Sequence, residues 1–193
     1  MTQSWLAGRY QLLEALGKGG FAQTYLAIDH HQQQCRCVIK HLLPTNSAPE
    51  FLATARRLFQ AEVEVLRRLG SHDRIPQLID ALEVDGEFYL VQEYIEGDTL
   101  STLFKQQGTF TQAETVNLLQ EILSVLAFVH AEQVIHRDIK PSNIMRRAAD
   151  GKLMLIDFGA VKEITTELYT AHSEQFTVSI GTQGYAAPEQ MAG

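Results

Sequence analysis

The chain has 193 residues, a formal net charge of −7 from 16 Lys+Arg and 23 Asp+Glu, and 45% hydrophobic residues. This balance is typical of a globular protein and excludes a disordered, collagen-like or disulfide-rich chain. Cys35 and Cys37 share one face of a predicted strand but are poorly placed to bridge, so we expect reduced thiols. The acidic charge argues against nucleic-acid binding. Because no apolar run reaches the length of a membrane span and the first residues lack a secretory pattern, we expect a cytoplasmic protein.

The first half of the chain is rich in predicted strands. Five segments have strand-forming composition between turn residues: 9–16, 21–28, 35–40, 78–84 and 88–94. Ser47 and Glu50 have the spacing of a capping box, which predicts a long helix ending near Gly70. Asp85-Gly86 separates the last two strands and is a strong hairpin signal. We therefore predict a small antiparallel sheet of five strands with one main helix.

The second half begins with a helix. Thr111 and Glu114 form another capping-box pattern, and five apolar residues then recur at helical spacing: Val116, Leu119, Leu123, Leu126 and Val129. Three short apolar segments follow, at residues 134–135, 144–145 and 153–156. Residues 162–181 are polar and rich in Thr, Ser and Glu, which predicts a long loop.

One charge interrupts the apolar face of the first predicted helix. That face contains Ala55, Leu58 or Phe59, position 62, Leu66 and Leu69, and position 62 is Glu. Burial of a carboxylate without a partner is costly. Either Glu62 reaches water at the edge of the helix, as long side chains can, or a cation meets it. Lys40, at the end of the third predicted strand, is the nearest candidate cation.

Six short motifs follow one another along the chain: Gly17-Lys18-Gly19-Gly20-Phe21, Cys37-Val38-Ile39-Lys40, Glu62, His136-Arg137-Asp138-Ile139-Lys140-Pro141-Ser142-Asn143, Asp157-Phe158-Gly159 and Ala187-Pro188-Glu189. In this order, and on these predicted strands and loops, the set resembles the protein kinase family over nearly the whole chain. The resemblance implies a bilobal α+β kinase fold. Residues 1–95 would form the five-stranded N-lobe with its one main helix. Residues 96–193 would form an incomplete helical C-lobe, since the family's larger lobe continues beyond the Ala-Pro-Glu motif.

The resemblance also implies ATP and Mg²⁺ as cofactors. The residues it assigns to the nucleotide are Leu16, Gly17, Lys18, Gly19, Gly20, Phe21, Ala22, Thr24, Val38, Lys40, Glu62, Glu93, Ile95, Met145 and Asp157. Lys40 would contact the α- and β-phosphates, Glu62 would hold its ammonium group, and Gln92 would be the gatekeeper. Ala22 stands where the family has its third Gly, and Thr24 stands where it has Val. These two differences bear on the closure of the glycine loop and not on nucleotide binding. Taken alone, the glycines are equally typical of a hairpin turn.

The loop at residues 136–143 resembles the catalytic loop of the family. The resemblance implies catalytic roles for Asp138, as the base, and for Lys140 and Asn143, while Asn143 and Asp157 would hold magnesium. From the residues alone, the Asp and Asn are also compatible with turn chemistry around Pro141, and His136 with a structural imidazole. Lys140 and Thr182 resemble a Ser/Thr kinase and not a Tyr kinase. The segments Phe88-Tyr89-Leu90-Val91 and Gly184-Tyr185-Ala186-Ala187-Pro188-Glu189-Gln190 are similar to bacterial members of the eukaryotic-like group.

Arg137 and Lys162 could form a basic pocket for a phosphorylated residue of the long loop. The candidate acceptors are Thr165, Thr166, Thr170, Ser173, Thr177 and Ser179, which are equally explained as polar residues that solvate a loop. Two functions follow from the resemblance. The first is transfer of the γ-phosphoryl group of ATP to Ser or Thr of a protein substrate, including the chain itself. The second is a truncated, non-catalytic module that binds nucleotide or a partner. A small-molecule phosphotransferase is disfavoured by Lys140-Pro141 and Ala187-Pro188-Glu189.

Overall fold

The computed structural model describes residues 4–18, 22–42, 49–158 and 184–185. The chain divides into two compact units. Among the described residues, the first unit consists of 4–18, 22–42, 49–67 and 77–94, and the second of Arg68–Pro76, 95–158 and 184–185. The segment Arg68–Pro76 therefore belongs to the second unit, whereas the sequence predicts one boundary after residue 95.

The first unit contains an antiparallel sheet and one long helix. Its elements are β1 (Ser4–Leu6), β2 (Tyr10–Lys18), β3 (Ala22–Asp29), β4 (Cys35–Leu42), α1 (Pro49–Leu69), β5 (Leu78–Val84) and β6 (Glu87–Glu93). The strand order is β1-β2-β3-β4-β6-β5. All five predicted strands are present, and β1 adds a sixth whose three residues are too few to show an alternating pattern. Asp85 and Gly86 both have positive φ, 53° and 79°, as a two-residue hairpin turn requires.

One face of this sheet packs against α1. The ring centroids of Phe59 in α1 and Phe88 in β6 are 5.0 Å apart, with an interplanar angle of 37°. The other buried residues of this helix include Ala55, Val63 and Leu66. Their spacing of three and four residues places them on one side of α1, so burial of this apolar side fixes the helix on the sheet.

The other face of the sheet has its own core and a buried charge network. The core cluster contains Leu6, Tyr10, Ala27, Cys37, Ile39 and Val91. Beside it, the Arg9 guanidinium donates two hydrogen bonds to Asp29, of 2.8 and 2.6 Å, and one of 3.1 Å to Asp80. Tyr10 donates its hydroxyl to the same Asp80 oxygen at 2.9 Å. These bonds tie the start of β2 to the end of β3 and to the first half of β5. Cys35 is exposed and Cys37 is buried, and both are free thiols, as predicted.

The second unit combines helices with a small sheet. Its elements are β7 (Gly97–Thr99), α2 (Leu100–Gln107), α3 (Gln112–Ala131), a 3₁₀ turn (Pro141–Asn143), β8 (Ile144–Arg147) and β9 (Leu153–Leu155), and the sheet order is β7-β8-β9. Gly97 has φ of +152°, and a Cβ atom there would lie 2.1 Å from the Arg146 carbonyl oxygen. Only glycine therefore allows β7 to approach β8 this closely.

Helix α3 is apolar on two sides. The predicted capping box is confirmed, because Thr111 Oγ1 accepts the Glu114 N–H and Glu114 accepts the Thr111 N–H. One side buries Leu118, Ile122, Val125 and Val129. Three of the residues that predicted the helix, Val116, Leu119 and Leu123, are instead 44%, 57% and 61% exposed. Within the described ranges, none of the helices has the length and apolar character that a membrane span requires.

Residues 68–76 are held within the second unit by several polar contacts. Arg68 lies 3.2 Å from Glu132 at the end of α3, and Lys152 lies 2.9 Å from Asp73. The Leu155 N–H donates to the carbonyl of Arg74 at 2.9 Å. The last of these contacts fixes the end of β9, just before the Asp157-Phe158 pair.

Candidate active site

The loop at residues 136–143 starts from a buried histidine. His136 is 2% exposed, and its Nδ1 accepts the N–H of Asp138 at 3.3 Å. Because Nδ1 is an acceptor, Nε2 carries the proton and donates it to the carbonyl of Ile156, 3.1 Å away. The ring also lies 4.7 Å from the ring of Phe158. His136 therefore links the loop to the segment after β9, which is a structural role.

A carboxylate held by two side chains lies at the centre of this loop. Lys140 Nζ is 2.8 Å from Asp138 Oδ2, and Asn143 Nδ2 donates to the same oxygen at 3.0 Å. Asn143 Nδ2 also donates to the carbonyl of Asp138 at 2.9 Å. Asp138 and Asn143 are each 5% exposed. The carboxylate therefore has a fixed orientation inside the loop, and a simple turn around Pro141 would not require these contacts.

Two residues of this region adopt a backbone conformation that non-glycine residues rarely adopt. Arg137 and Asp157 both have φ of 63°. Such residues cost about 1–3 kcal/mol each and concentrate at functional sites. Each of them directly precedes a buried residue, Asp138 or Phe158. At Asp157, this backbone conformation allows the next residue, Phe158, to be buried while Asp157 itself remains exposed.

The backbone brings Asn143 next to the Asp157 segment. The Ile156 N–H donates to the Asn143 carbonyl at 2.9 Å. Since Asn143 Nδ2 already donates to Asp138, its Oδ1 is the side-chain atom suited to a cation. An amide oxygen and a carboxylate are ligands that Mg²⁺ prefers, together with substrate phosphates. No group of three or more His, Cys, Asp or Glu residues that could hold a metal ion occurs in the described ranges.

In the first unit, Lys40 lies on the sheet face that packs against α1. Antiparallel pairing places Lys40 directly opposite Thr24 on one side and Leu90 on the other. Leu90 and Phe88 are two residues apart on β6 and share a face, and Phe88 contacts α1 through Phe59. Lys40 is half-buried. Its side chain therefore projects from the face covered by the helix that carries Glu62.

Glu62 is 3% exposed, so the interpretation of a carboxylate at a wet helix edge is wrong. It lies three residues after Phe59, on the side of α1 that faces the sheet. The position of Lys40 on that face supports the predicted pairing of the two side chains, which stays a prediction.

The other residues predicted to bind nucleotide are distributed over both units. In the first unit, Leu16, Gly17 and Lys18 end β2, Ala22 and Thr24 lie on β3, Val38 lies on β4 and Glu93 ends β6. In the second unit, Ile95 is buried, Met145 lies on β8 and Asp157 follows β9. Gly17 pairs with Thr24, and Val38 pairs with Gln92. The Glu93 N–H donates to Gln77 at 2.9 Å, so it is not available to a nucleotide.

Several predicted residues lie outside the described ranges. They are Gly19, Gly20, Phe21, Ser47, Gly159, Lys162, Thr165, Thr166, Thr170, Ser173, Thr177, Ser179, Thr182 and the motif Ala187-Pro188-Glu189. The side chain of Glu50 is likewise not described. Tyr185 is described and is 59% exposed.

The sequence analysis missed Ile156. Its carbonyl accepts from His136 and its N–H donates to Asn143, so this one residue joins both ends of the loop to the Asp157 segment. Both bonds use backbone atoms of Ile156, so the residue type at this position could not have predicted them. Only the order of the two motifs along the chain could have indicated the link.

Comparison with known proteins shows which family this chain is similar to. The family model described as "Protein kinase domain" matches residues 10–193. Serine/threonine-protein kinase B of Synechocystis sp. is 45% identical over 97% of this chain, which covers 33% of that protein. PknA of Nostoc sp., also a serine/threonine-protein kinase, is 42% identical over 97% of this chain and 34% of its own length. The chain thus spans about a third of the length of these curated relatives.

A solved structure gives the same result for the fold. The apo form of PpkA-294 superimposes with a TM-score of 0.77 and 26% sequence identity, covering 98% of this chain and 70% of that one. With the motifs in order and their geometry established in each unit, the chain belongs to the protein kinase domain family.

Proposed function

We propose that this chain is the catalytic part of an ATP-dependent protein kinase that phosphorylates Ser or Thr. The observation that carries the proposal is the buried carboxylate of Asp138, which Lys140 and Asn143 hold at 2.8 and 3.0 Å. A Lys two residues after the Asp is the pattern of Ser/Thr kinases. The relatives named as serine/threonine-protein kinases support the same specificity. Residues 1–95 would form the nucleotide-binding lobe, and residues 96–193 part of the second lobe.

In the proposed reaction, a Ser or Thr hydroxyl of the substrate attacks the γ-phosphorus of ATP. The Asp138 carboxylate accepts the hydroxyl proton, the new O–P bond forms, and ADP leaves with the electrons of the broken P–O bond. Lys140, 2.8 Å from Asp138, would stabilise negative charge on the transferred group. Mg²⁺ bound to Asn143 and Asp157 would neutralise the phosphate oxygens. The chain's own contribution is thus a positioned base and a fixed set of donors.

The first unit would bind the nucleotide. Lys40 would contact the α- and β-phosphates, and Glu62 would orient its ammonium group. Val38 would contact the adenine, whose edge would meet the backbone carbonyl of Glu93. Because both ATP and Mg²⁺ are abundant in the cytoplasm, we propose that location for the chain, with a protein substrate that includes the chain itself.

A second candidate is a module that binds nucleotide without transferring phosphate. The exposed apolar side of α3, formed by Val116, Leu119 and Leu123, favours it. A helix that is apolar on two sides is normally covered on both, and a lobe without such cover supports its catalytic loop less well.

The test is mass spectrometry of the folded chain after incubation with ATP and Mg²⁺, beside the Asp138→Asn variant. Phosphate on Ser or Thr of the unmodified chain alone is the expected result. A generic protein substrate is added in a parallel sample, so that transfer to another chain is also detected. Absence of phosphate from all samples, with a thermal shift on addition of ATP and Mg²⁺, would support the binding module. Absence of both effects would contradict both candidates.

A further inference from the structure

Helix α1 of the first unit lies across strands that are neighbours in the sheet, in the order β4-β6-β5. Arg56 contacts Glu83 of β5, and Phe59, three residues later, contacts Phe88 of β6. Residues spaced three apart form a row that runs obliquely over the surface of a helix. Each step along this row moves the contact by one strand, so the next step, to Glu62, leads toward β4.

The contact between Arg56 and Glu83 uses both oxygens of the carboxylate. Arg56 Nε donates to Glu83 Oε2 at 2.7 Å, and Arg56 Nη2 donates to Glu83 Oε1. Such a bidentate pair fixes the relative orientation of the two groups, which a single hydrogen bond does not. The bonds from Arg56 hold the pKa of Glu83 below its ordinary value, so the carboxylate is charged at neutral pH.

The register of the sheet places Glu83 on the same face as Lys40. Glu83 is directly opposite Phe88, and residues directly opposite each other share a face. Phe88 and Leu90 are two residues apart on β6, so they also share that face. Leu90 is in turn directly opposite Lys40 of β4. The anchor of α1 at β5 and the amine of Lys40 at β4 therefore lie on one side of the sheet, the side that α1 covers.

We propose that Arg56 is a positioning residue for the pair of Lys40 and Glu62, because its contact with Glu83 fixes the rotation of α1 about its own axis. Apolar packing is non-directional, so the buried side of α1 by itself allows small rotations of the helix. Without the bidentate contact, such a rotation moves Glu62 away from β4. The role of Arg56 in catalysis rests on the proposed kinase function, whereas its effect on the amine of Lys40 requires no nucleotide.

The first test measures the reactivity of each lysine amine by trace labelling with acetic anhydride in the absence of ATP, followed by mass spectrometry. Only a neutral amine attacks the anhydride, so an ammonium group paired with a carboxylate reacts slowly. We expect Arg56→Gln to increase the labelling of Lys40 by about two- to fivefold, the range that an exposed ion pair can supply. Lys105, an exposed lysine of α2, is the internal reference and should be labelled equally in all variants.

A double-mutant cycle tests whether Arg56 acts through Glu62. Glu62→Gln should itself increase the labelling of Lys40, and Arg56→Gln added to it should then have no further effect. Glu83→Gln should match Arg56→Gln, and the exchanged pair, Arg56→Glu with Glu83→Arg, should restore slow labelling. Arg67→Gln, which changes an exposed arginine of the same helix, is the matched control and should behave like the unmodified chain. Thermal denaturation of each variant verifies its folding.

In the kinase assay, Arg56→Gln should lower the transfer rate at saturating ATP by about two- to fivefold, with the KM for the protein substrate unchanged. The exchanged pair should recover this rate. Two results would overturn the proposal: unchanged labelling of Lys40 in the folded Arg56→Gln variant, or an equal increase with and without Glu62→Gln. If labelling changes as expected in a chain that transfers no phosphate, the proposed function fails and the positioning of Lys40 by Arg56 stands.

Discussion

The two units hold the residues proposed for function in different ways. In the second unit, Asp138, Lys140 and Asn143 lie within one short loop, and their contacts are local hydrogen bonds and an ion pair. In the first unit, Lys40 and Glu62 come from a strand and a helix, and burial of the apolar side of α1 determines where Glu62 lies. The geometry of a site within one loop depends on the spacing of the residues in a short motif. The geometry of a site shared between a strand and a helix depends on how these two elements pack.

This difference predicts that substitutions in the second unit mainly affect phosphoryl transfer, whereas substitutions in the first unit also affect nucleotide binding. We expect Asp138→Asn to lower the rate of phosphoryl transfer by about 10²–10⁴-fold, the usual contribution of a positioned base, with nucleotide affinity nearly unchanged. Lys40→Met should weaken nucleotide binding as well as transfer, because it removes a cation from the phosphates. Single-turnover rates with saturating ATP and equilibrium titration with a fluorescent ATP analogue measure the two effects.

Lys140→Arg is the matched control in the second unit, since it keeps a positive charge near Asp138 and should lose less activity than Asp138→Asn. If Asp138→Asn weakened nucleotide binding as strongly as Lys40→Met, the division of roles between the units would be contradicted.

The two sides of α3 allow a comparison within one helix. Ile122 is 7% exposed, and its neighbour Leu123 is 61% exposed. We expect Ile122→Ala to lower the free energy of unfolding by about 2–5 kcal/mol, through lost burial and a cavity. Leu123→Ala should change it by less than about 0.5 kcal/mol. Urea denaturation followed by circular dichroism measures both. A large loss for Leu123→Ala would show that this side of α3 is covered in solution.

The sequence predicted the elements that have strong local signals. The hairpin at Asp85-Gly86 and the cap at Thr111 both depend on a few neighbouring residues, and both are confirmed. By contrast, β1, β7 and α2 were not predicted. The two strands have three residues each, and α2 has only eight, so no period is established.

The same limit applies to the site. The spacing within the loop at residues 136–143 predicts Asp138 and Asn143 as site residues, and the charge on the apolar face of α1 predicts Glu62; these roles stay predictions. Neither pattern could show the link through Ile156, which is made by backbone atoms, or the positive φ of Arg137 and Asp157. These features depend on how the loop packs against β9, and the side chains involved do not determine them.

The ion pairs of the two units should also differ in their contribution to stability. Asp29 is 1% exposed and receives two hydrogen bonds from Arg9, whereas Asp73 of the second unit is 60% exposed beside Lys152. We expect Asp29→Asn to cost about 1–3 kcal/mol at neutral pH, because it leaves a charged donor less well matched. Asp73→Asn should cost much less, as exposed pairs do. Equilibrium unfolding in urea measures both changes.

The effect of Asp29 should depend on pH. The hydrogen bonds from Arg9 hold the pKa of Asp29 below its ordinary value of 3.8. A carboxyl group whose pKa is lower in the folded state stabilises the fold above its unfolded pKa and loses this contribution as the pH falls through the folded value. The difference between the unmodified chain and Asp29→Asn should therefore be constant near neutral pH and shrink below about pH 4. A difference that grew in acid would contradict this assignment.

A smaller loss of stability than those of Ile122→Ala and Asp29→Asn is expected at the cap of α3, the helix that precedes the loop at residues 136–143. Thr111→Ala removes the hydroxyl that accepts the Glu114 N–H at 3.3 Å but keeps the backbone N–H that donates to Glu114. We expect a loss of about 1 kcal/mol in the free energy of unfolding, together with faster amide exchange in the first turn of α3. Thr111→Ser keeps the hydroxyl and should match the unmodified chain. Since the cap is local, it should leave exchange in the first unit unchanged, and equal losses for Ser and Ala would show that the methyl group, rather than the hydrogen bond, stabilises this helix end.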